Sequence, residues 1–460
     1  MTNRRDFLRG ATAAVCAASL PLRATKQTAR PNILLLITDQ QSADTASYRI
    51  GTRYIHTPNI DSLAASGTSF TRAYCANPLC VPSRASMFTG RYPTETGVMD
   101  NSDLYNVRLD TRKFHCMGKI FQRAGYKSAY FGKWHLPWRV DDTGAHGFTT
   151  MATTVNDDTA TAFSASEFLQ SKPDAPFLLV ASFLNPHNIC EWARGQQLPL
   201  GSIGQPPRLD RCPPLRANHL PQKNEPDIIS LMRRSYQSSP TFPVGNFSEK
   251  QWREYLWAYY RLIEKADAQI GVALKALRDS GLDRNTVIVF TADHGDCQGA
   301  HGWNQKTVFY DEASRVPLII SSKSRASGTS TQLVNTGIDL IPTLCDLAGI
   351  NTPPELPGIS VKSANVHSRQ YIVASNKMVQ GAPVDGRKPV TSGRMVRSQR
   401  YKYCVYDKGD HRESLVDLEK DPGEMTNLAG EQRFSKELDQ HRAMLKEWCD
   451  KTHDSFPIAG

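Results

Sequence analysis

The chain has 460 residues, of which 22% are charged and 40% hydrophobic, proportions typical of a folded globular protein. They exclude an intrinsically disordered or fibrous chain, and the length suits one large domain with a smaller one beside it. The formal net charge of +10 favours anionic ligands in general, but no basic run with interleaved aromatic residues suggests nucleic acid, so we expect no nucleic-acid partner.

Residues 1–24 have the pattern of a twin-arginine export signal. The pair Arg4-Arg5 precedes an apolar run over residues 11–20, and Ala24 suits the cleavage site. The run is too short to span a membrane. One alternative is a frayed cytosolic terminus, which the paired arginines disfavour, and another is a lipid anchor on Cys16, whose flanking residues fit poorly. We therefore predict a bacterial protein that the twin-arginine machinery exports to the periplasm or the extracellular space.

The first predicted strand covers residues 33–37, an uninterrupted apolar run of the kind found in buried parallel sheets. Asp39 and Gln40 follow it directly. In open parallel sheets, ligands gather at the carboxyl ends of the strands, so polar residues at this point are candidates for a binding site. The alternative for an aspartate after a strand is a turn or a helix cap.

A short helix is predicted to begin at Cys80. Pro82 suits its first turn, where the missing N–H costs nothing, and Gly90 suits its end. Arg84 then lies one turn inside the helix. Because a helix N-terminus attracts anions, the thiol of Cys80 is expected to stand at an anion-binding position. A cysteine in such a place without further signals is more often a buried structural residue.

Two more predicted strands end next to basic side chains. The strand at 128–131 precedes Lys133 and His135, which would point to the same side of an extended segment. The strand at 177–183 precedes His187. Taken singly, the lysine is typical of a solvated surface charge and each histidine of an ordinary loop residue. In a parallel sheet, however, all three would lie on the same edge as the end of the first strand.

A proline-rich stretch follows, and it leads to the clearest helix of the chain. That helix is predicted over residues 250–280, where apolar residues form one stripe and Gly281 ends it. The proline-rich stretch is expected either to shape substrate entry or to be a solvated linker. On the first interpretation, six of its arginines are candidate contacts for an anionic substrate: Arg194, Arg208, Arg211, Arg216, Arg233 and Arg234.

The strand predicted at 287–290 ends before Asp293 and His294, a second pair of polar residues behind an apolar run. Lys306 follows in the next loop, and the alternative for it is a lysine on a helix surface. A further buried strand is predicted at 316–320. The alternation of such strands with amphipathic helices predicts a doubly wound α/β fold.

The C-terminal region has a different pattern. Residues 395–398 and 401–406 flank a short turn and predict an antiparallel hairpin. Residues 434–451 predict an amphipathic helix. The cysteines show no metal-binding spacing and no Cys-x-x-Cys pair, but export would permit disulfides, and we favour the pair Cys404 and Cys449 because both lie in this region.

From Cys80 to Gly90 the sequence resembles the signature of the sulfatase family, Cys-x-Pro-Ser-Arg-x-x-x-Leu-Thr-Gly, with Phe88 where the family usually has leucine. The resemblance covers residues 31–430. It implies a formylglycine-dependent type I sulfatase of the alkaline phosphatase superfamily. The expected fold is an α/β sandwich, with a large, mostly parallel sheet flanked by helices in a catalytic domain over 31–365. A small α+β subdomain with an antiparallel sheet is expected over 366–460.

The resemblance also implies the site. Cys80 would be oxidised to formylglycine by a formylglycine-generating enzyme or an anaerobic sulfatase-maturating enzyme. A divalent cation would be held by five residues, Asp39, Gln40, Cys80, Asp293 and His294. Many members have aspartate in place of the glutamine and asparagine in place of the histidine. Oxygen ligands favour Ca²⁺. The alternatives are Mn²⁺, which the imidazole ligand favours, and Mg²⁺.

The remaining roles follow from the same resemblance. A formylglycine hydrate offers one hydroxyl to attack sulfur and a second to expel sulfate afterwards. Arg84 would favour the ionised hydrate, and Lys133 and Lys306 would hold the sulfate oxygens. His187 would protonate the leaving alcohol, and His135 would take a proton during sulfate release.

The resemblance predicts an exported sulfatase that acts on a sulfated carbohydrate. The first alternative is a phosphonate or phosphate diester hydrolase on the same scaffold, to which Gln40 lends support. The second is a glycan-binding relative that has lost catalysis, since fold alone does not establish activity. The complete set of candidate residues argues against such a loss.

Overall fold

The computed structural model describes residues 30–154, 156–323, 326–362 and 369–458. The predicted export signal over 1–24 therefore lies outside the described residues, as does the predicted boundary between the two domains at 365. Within the described part of the chain, no helix combines the length and the apolar character needed to cross a membrane.

The larger sheet has eight strands, in the order β4-β3-β5-β1-β6-β7-β2-β8. All neighbours are parallel except β7, which runs antiparallel to both β6 and β2. The predicted, mostly parallel central sheet is thus confirmed. Its strands are β1 (Asn32–Asp39), β2 (Gly67–Tyr74), β3 (Lys127–Gly132), β4 (Thr150–Thr153), β5 (Phe177–Pro186), β6 (Thr286–Ala292), β7 (Leu318–Ser321) and β8 (Gly328–Asn335).

Helices cover both faces of this sheet and complete the smaller subdomain. They are α1 (Ser47–Ile50), α2 (Pro58–Ser66), α3 (Cys80–Thr89), α4 (Pro93–Thr96), α5 (Asp103–Asn106), α6 (Met117–Arg123), α7 (Thr143–His146), α8 (Asp158–Gln170), α9 (Ile189–Ala193), α10 (Asp227–Gln237), α11 (Glu249–Asp279), α12 (Asp311–Ser314), α13 (Thr336–Ala348) and α14 (Ser435–Thr452). Short 3₁₀ turns lie at Leu209–Arg211, Leu282–Asn285, Ala300–Gly302 and Gln432–Phe434.

Strand β1 is covered by a hydrophobic core on each face of the sheet. Its side chains alternate between two cores, with Ile33 and Ile37 among residues of α3 and α13, and Leu34 and Leu36 among residues of α8 and α11. Successive side chains of a strand point to opposite faces, so an uninterrupted apolar run fits only a strand that is covered on both sides.

The long helix α11 forms as its sequence predicts. Ser248 and Gln251 make a capping box at its start, and Gly281, with a φ of 71°, follows its last turn. In the left-handed region a residue without Cβ pays no steric penalty, which suits glycine to this position. The apolar stripe packs on β5 and α8 and so covers one face of the sheet.

The proline-rich segment is more ordered than a linker. It contains α9 and α10, and several of its arginines are paired, among them Arg233 with Glu225 inside the segment and Arg216 with Glu312 on α12. The pair with Glu312 anchors the segment to the body of the protein, while its proposed contacts with substrate stay a prediction.

The C-terminal part forms the expected small antiparallel sheet, in the order β12-β11-β10-β9. Its strands are β9 (Tyr371–Met378), β10 (Thr391–Ser398), β11 (Tyr401–Tyr406) and β12 (Glu413–Asp417), and β10 and β11 form the predicted hairpin. Helix α14 packs on this sheet through Leu438, Leu445 and Trp448.

The predicted disulfide between Cys404 and Cys449 is wrong, since both thiols are free. Cys404 on β11 packs in a core on one face of the small sheet, together with Tyr406. Its neighbours Tyr403 and Val405 point to the other face, where Cys449 lies. The alternation of side chains along β11 therefore puts the sheet between the two sulfurs.

The small sheet contacts the part of the protein that contains the large sheet, next to Cys80. The backbone N–H of Ser375 donates to the carbonyl of Ala76, 2.9 Å away, and the side-chain amide of Asn376 donates to the carbonyl of Thr307, 2.6 Å away. Strand β9 is thereby fixed to the two segments that carry Cys80 and Lys306.

Candidate active site

The carboxyl ends of four strands and the start of one helix meet at a single edge of the large sheet. Asp39 is the last residue of β1, and Asp293 directly follows β6. Lys133 and His187 follow β3 and β5, and Cys80 begins α3. The edge predicted from the apolar runs is therefore the place where these candidate side chains come together.

Helix α3 is buried along its whole length. It ends at Gly90, whose φ of 68° is left-handed. The N–H of Val81, in its first turn, donates to the side chain of Asn101 at 3.1 Å. Phe88, the departure from the family signature, lies in the hydrophobic core and packs against Tyr130 with ring centroids 5.8 Å apart, so the exchange of leucine for phenylalanine changes core packing.

Arg84 ties two buried carboxylates together. Its Nε lies 2.8 Å from Asp293 Oδ2 and its Nη2 lies 3.0 Å from Asp39 Oδ2, and none of the three side chains is exposed. Its Nη1 donates to the hydroxyl of Ser182, 2.9 Å away. The guanidinium is thus committed to the carboxylates, and it fixes the two strand ends relative to each other.

The two carboxylates differ in their pKa values. Burial would raise the pKa of Asp39, but the positive charges of Lys133, His187 and Arg84 outweigh it and hold that pKa well below its usual value. Burial and the negative charge of Asp39 raise the pKa of Asp293 to about 6. The site therefore keeps at least one strongly ionised oxygen ligand.

The thiol of Cys80 faces three polar groups. Its Sγ lies 3.1 Å from Lys306 Nζ, 3.2 Å from His294 Nε2 and 3.9 Å from Asp39 Oδ1. Burial and Asp39 would raise the thiol pKa, but the cationic side chains of Lys306 and Lys133 lower it well below that of an ordinary cysteine. Residue 80 therefore sits in a cationic environment, which is unlike that of an inert core cysteine.

Both lysines are buried at the site, so neither is a solvated surface charge. Lys133 Nζ lies 2.6 Å from Asp39 Oδ2. Lys306 Nζ lies 2.7 Å from Gln40 Oε1. Burial would lower the pKa of Lys306, but the anionic neighbours Cys80 and Asp39 outweigh it and raise that pKa. Two fixed ammonium groups at the site of residue 80 would attract an anionic ester.

The histidines approach the same thiol. Burial together with Lys306 and Lys133 lowers the pKa of His187 to about 4, and burial lowers that of His135. His135 has a φ of 50°, so the backbone turns there. The extended segment assumed for Lys133 and His135 is therefore not observed, although both side chains reach the neighbourhood of Cys80.

Four side chains are arranged to hold a metal ion. The ligand atoms of Asp39, Cys80, Asp293 and His294 all lie within 4.8 Å of one another. The Nδ1 of His294 lies 2.9 Å from the carbonyl of Gly295, an acceptor, so Nδ1 carries a proton and Nε2 is the ring nitrogen that faces the other candidate ligands. This donor set fits a divalent cation. Gln40, the fifth predicted ligand, directly follows Asp39 and has a φ of 70°.

Three supporting residues escaped the sequence analysis. Asp296 accepts a hydrogen bond from the amide of Gln40, and Ser182 holds Arg84. Asp158 accepts from the backbone of Asn185, just before His187. Only Asp296 had a signal in the sequence, its place two residues after the pair Asp293-His294.

Comparison with known proteins reveals relatives along nearly the whole chain. The family model "Sulfatase" matches residues 31–350, and the model "N-sulphoglucosamine sulphohydrolase, C-terminal" matches 299–451. A Delta 4,5-hexuronate-2-O-sulfatase of Bacteroides thetaiotaomicron is 32% identical over 93% of this chain and 90% of its own length. An ulvan-active sulfatase of Formosa agariphila is 28% identical over 93% of this chain and 82% of its own length.

Solved structures agree with this. The structure of a 2-O GAG sulfatase superposes with a TM-score of 0.81 at 29% identity, covering 94% of this chain and 95% of the other. A phosphonate monoester hydrolase of Agrobacterium radiobacter shares the fold, with a TM-score of 0.72 at 22% identity over 92% of this chain and 96% of the other. The alkaline-phosphatase-like fold predicted from the sequence is confirmed.

Proposed function

The chain belongs to the sulfatase family of sulfuric ester hydrolases, and we propose that it hydrolyses sulfate esters of a sulfated glycan through a formylglycine made from Cys80. The observation that carries this proposal is the surroundings of residue 80. Its sulfur lies 3.1 Å from Lys306 and 3.2 Å from His294, at the start of a buried helix and beside two aspartates.

Two groups would have to be supplied. A formylglycine-generating enzyme or an anaerobic sulfatase-maturating enzyme would convert Cys80, and the hydrated aldehyde would provide geminal hydroxyls for attack and for release of sulfate. Asp39, Gln40, Asp293, His294 and residue 80 would hold a divalent cation, which neutralises sulfate charge. We propose Ca²⁺, with Mn²⁺ or Mg²⁺ as alternatives, because four of these five side chains offer oxygen or, once matured, can do so.

The lysines would carry the electrostatic part of catalysis. Lys133 and Lys306 are held in place by Asp39 and by Gln40, so their ammonium groups need no reorganisation when charge grows on the sulfate oxygens. A preorganised donor of this kind is worth roughly 3 kcal/mol of transition-state stabilisation in other enzymes. Arg84 would keep the carboxylates of Asp39 and Asp293 in register around residue 80.

The histidines would move protons. His187 would protonate the oxygen of the departing alcohol, and His135 would accept a proton when sulfate is expelled. The low pKa of His187 arises from burial and from the charges of Lys306 and Lys133. A bound sulfate ester would offset those two charges, which favours the protonated imidazole at the moment when it is needed.

The relatives support the class of substrate. Hexuronate-2-O-sulfate, ulvan and GAG, named for three of the relatives, are all sulfated carbohydrates or their fragments. We therefore propose a sulfated glycan as the substrate. We also propose export through the twin-arginine machinery to the periplasm or beyond, and this rests on the pattern of residues 1–24 alone.

A direct comparison of two esters tests the activity. Matured protein is expected to hydrolyse 4-nitrophenyl sulfate faster than 4-nitrophenyl phenylphosphonate and to release sulfate from glycosaminoglycan or ulvan fragments. A faster rate on the phosphonate would favour the second candidate, a phosphonate or phosphate diester hydrolase, which Gln40 and the shared fold support. Tight glycan binding without sulfate release would identify a non-catalytic relative.

The role of His187 predicts a dependence on the leaving group. The variant His187→Gln is expected to lose about 10²- to 10⁴-fold in kcat/KM on a sulfated sugar, whose alcohol needs a proton to leave. On 4-nitrophenyl sulfate, whose phenolate leaves unaided, the loss is expected to be below about tenfold. His441→Gln is a matched control, because His441 is a buried histidine that bonds to Ser398 in the small subdomain, away from residue 80. Equal losses on both substrates would contradict the proposed role.

A further inference from the structure

Asp296 is a fully buried carboxylate that the proposed mechanism does not use. Its two oxygens accept hydrogen bonds from the Nε2 of Gln40 at 2.7 Å, the N–H of Gln298 at 2.7 Å and the hydroxyl of Tyr255 at 3.1 and 3.2 Å. All these partners are donors. An ionised carboxylate accepts only, so it satisfies every one of them.

The amide of Gln40 lies between two groups of opposite character. On one side the carboxylate of Asp296 can only accept, and on the other the ammonium of Lys306, 2.7 Å from Oε1, can only donate. One orientation of the amide satisfies both partners, with Nε2 toward Asp296 and Oε1 toward Lys306. The oxygen, which is the only atom of a neutral amide that binds a cation, therefore faces the site.

We propose that Asp296 is a positioning residue that keeps the oxygen of Gln40 on the side of the metal site, an inference that rests on the proposed function. Asp296 thereby also makes an amide, rather than a carboxylate, the suitable group at position 40. A carboxylate there would place a second anionic oxygen against Asp296 Oδ2, in a region closed to solvent. The exchange of the common aspartate for glutamine at position 40 is thereby paired with Asp296.

The backbone strengthens this pairing. Ser42 Oγ accepts from the N–H of Asp296 at 3.0 Å, and its single proton faces the carbonyls of Asp296 at 2.8 Å and of Glu312 at 2.7 Å. Asp296 is thus bound at its main chain to the segment that carries Gln40, and at its side chain to Gln40 itself. The two residues form one unit although 256 positions separate them in the sequence.

Exchanging the two functional groups tests the pairing. In Asp296→Asn the oxygen of the new amide can accept hydrogen bonds from Gln298 and Tyr255. Its NH₂ group then faces the NH₂ group of Gln40, and two donors cannot bond to each other. Gln40 must turn over and present nitrogen to the metal. In the double variant Q40E/D296N the donor and the acceptor are interchanged, Oε1 of residue 40 again faces Lys306, and every partner of residue 296 is satisfied.

The measurement is the dissociation constant of Ca²⁺ by calorimetry on the full-length matured protein without substrate, together with the unfolding midpoint of the metal-free protein. Asp296→Asn is expected to weaken Ca²⁺ binding by about 10- to 100-fold. Q40E/D296N is expected to bind Ca²⁺ within about threefold of the unaltered protein, or more tightly. Q40E alone is expected to unfold at a lower temperature than the double variant.

Asp267→Asn is a matched control. Asp267 is also a buried carboxylate that accepts backbone and amide hydrogen bonds, but it lies on α11, 12 residues or about 18 Å along the helix from Tyr255. Its variant is expected to lose stability without a change in Ca²⁺ affinity.

The assignment is overturned if Asp296→Asn binds Ca²⁺ like the unaltered protein, or if the double variant binds no better than Asp296→Asn. Should Asp296→Asn fail to fold, the double variant decides, since a folded, Ca²⁺-binding protein supports the pairing and an unfolded one refutes it. Because no substrate is present, this outcome is independent of whether the ester hydrolysed is a sulfate.

Discussion

Replacing Cys80 by alanine is expected to lower the rate of sulfate release by at least about 10⁴-fold, because loss of a nucleophile removes the chemical step that all neighbouring groups support. Lys306 and His294 contact this side chain, and no other thiol of the described residues lies among the proposed metal ligands. The remaining lysines and histidines would bind a sulfate ester without an atom to attack it.

Cys116→Ala is the matched control for this variant. Cys116 is also buried and also stands at the start of a helix, α6. Burial raises its thiol pKa to about 12, whereas the cationic side chains of Lys306 and Lys133 lower the pKa of Cys80. The control is expected to keep its kcat/KM. If Cys80→Ala kept activity within about tenfold of the unaltered protein, the nucleophile would have to be another group.

Replacing Arg84 by alanine is expected to have the largest effect on stability. The guanidinium is the shared partner of Asp39 and Asp293, and all three side chains are closed to solvent. Its removal leaves Asp293 without its arginine partner and Asp39 with Lys133 in place of two cationic partners, which costs about 3–5 kcal/mol. We expect a correspondingly lower free energy of unfolding for the metal-free protein. Added Ca²⁺ should restore part of it, since a cation compensates the same carboxylates.

Chemical denaturation with and without Ca²⁺ measures the change in the free energy of unfolding. The kcat/KM for sulfate release reports whether the groups around residue 80 are still correctly positioned. Arg394→Ala is the control, because Arg394 is a similarly buried arginine whose partner is Asp454 in the small subdomain. It should lose stability and keep its kcat/KM when folded. An Arg84→Ala protein with the stability and activity of the unaltered chain would show that the guanidinium is not needed to position Asp39 and Asp293.

The large sheet could be predicted because its strands depend on local patterns. The apolar run of β1 already requires cover on both faces, and the residues behind it lie at the carboxyl edge by the geometry of parallel strands. Helix α3 was equally predictable, since Pro82 and Gly90 are local signals for its start and its end. The direction of β7 could not be predicted, because a buried apolar strand has the same sequence pattern whether it runs parallel or antiparallel to its neighbours.

The supporting groups of the site could not be predicted, because their contacts join residues that are far apart in the sequence. Asp296 meets Gln40 across 256 positions, and Tyr255 reaches Asp296 from the stripe of α11 that the sequence marks only as core. The disulfide between Cys404 and Cys449 failed because closeness in the chain says nothing about which face of a sheet each thiol occupies. The turn at His135 likewise has no local signal.

The proposed formylglycine mechanism depends most directly on the chemical identity of residue 80 in protein from the native host. Mass spectrometry of the tryptic peptide over residues 73–84 measures it, with sulfate release assayed on the same preparation. We expect an active preparation whose peptide has lost the sulfur and gained an aldehyde oxygen. An unmodified cysteine in a preparation that releases sulfate at full rate would contradict the central claim.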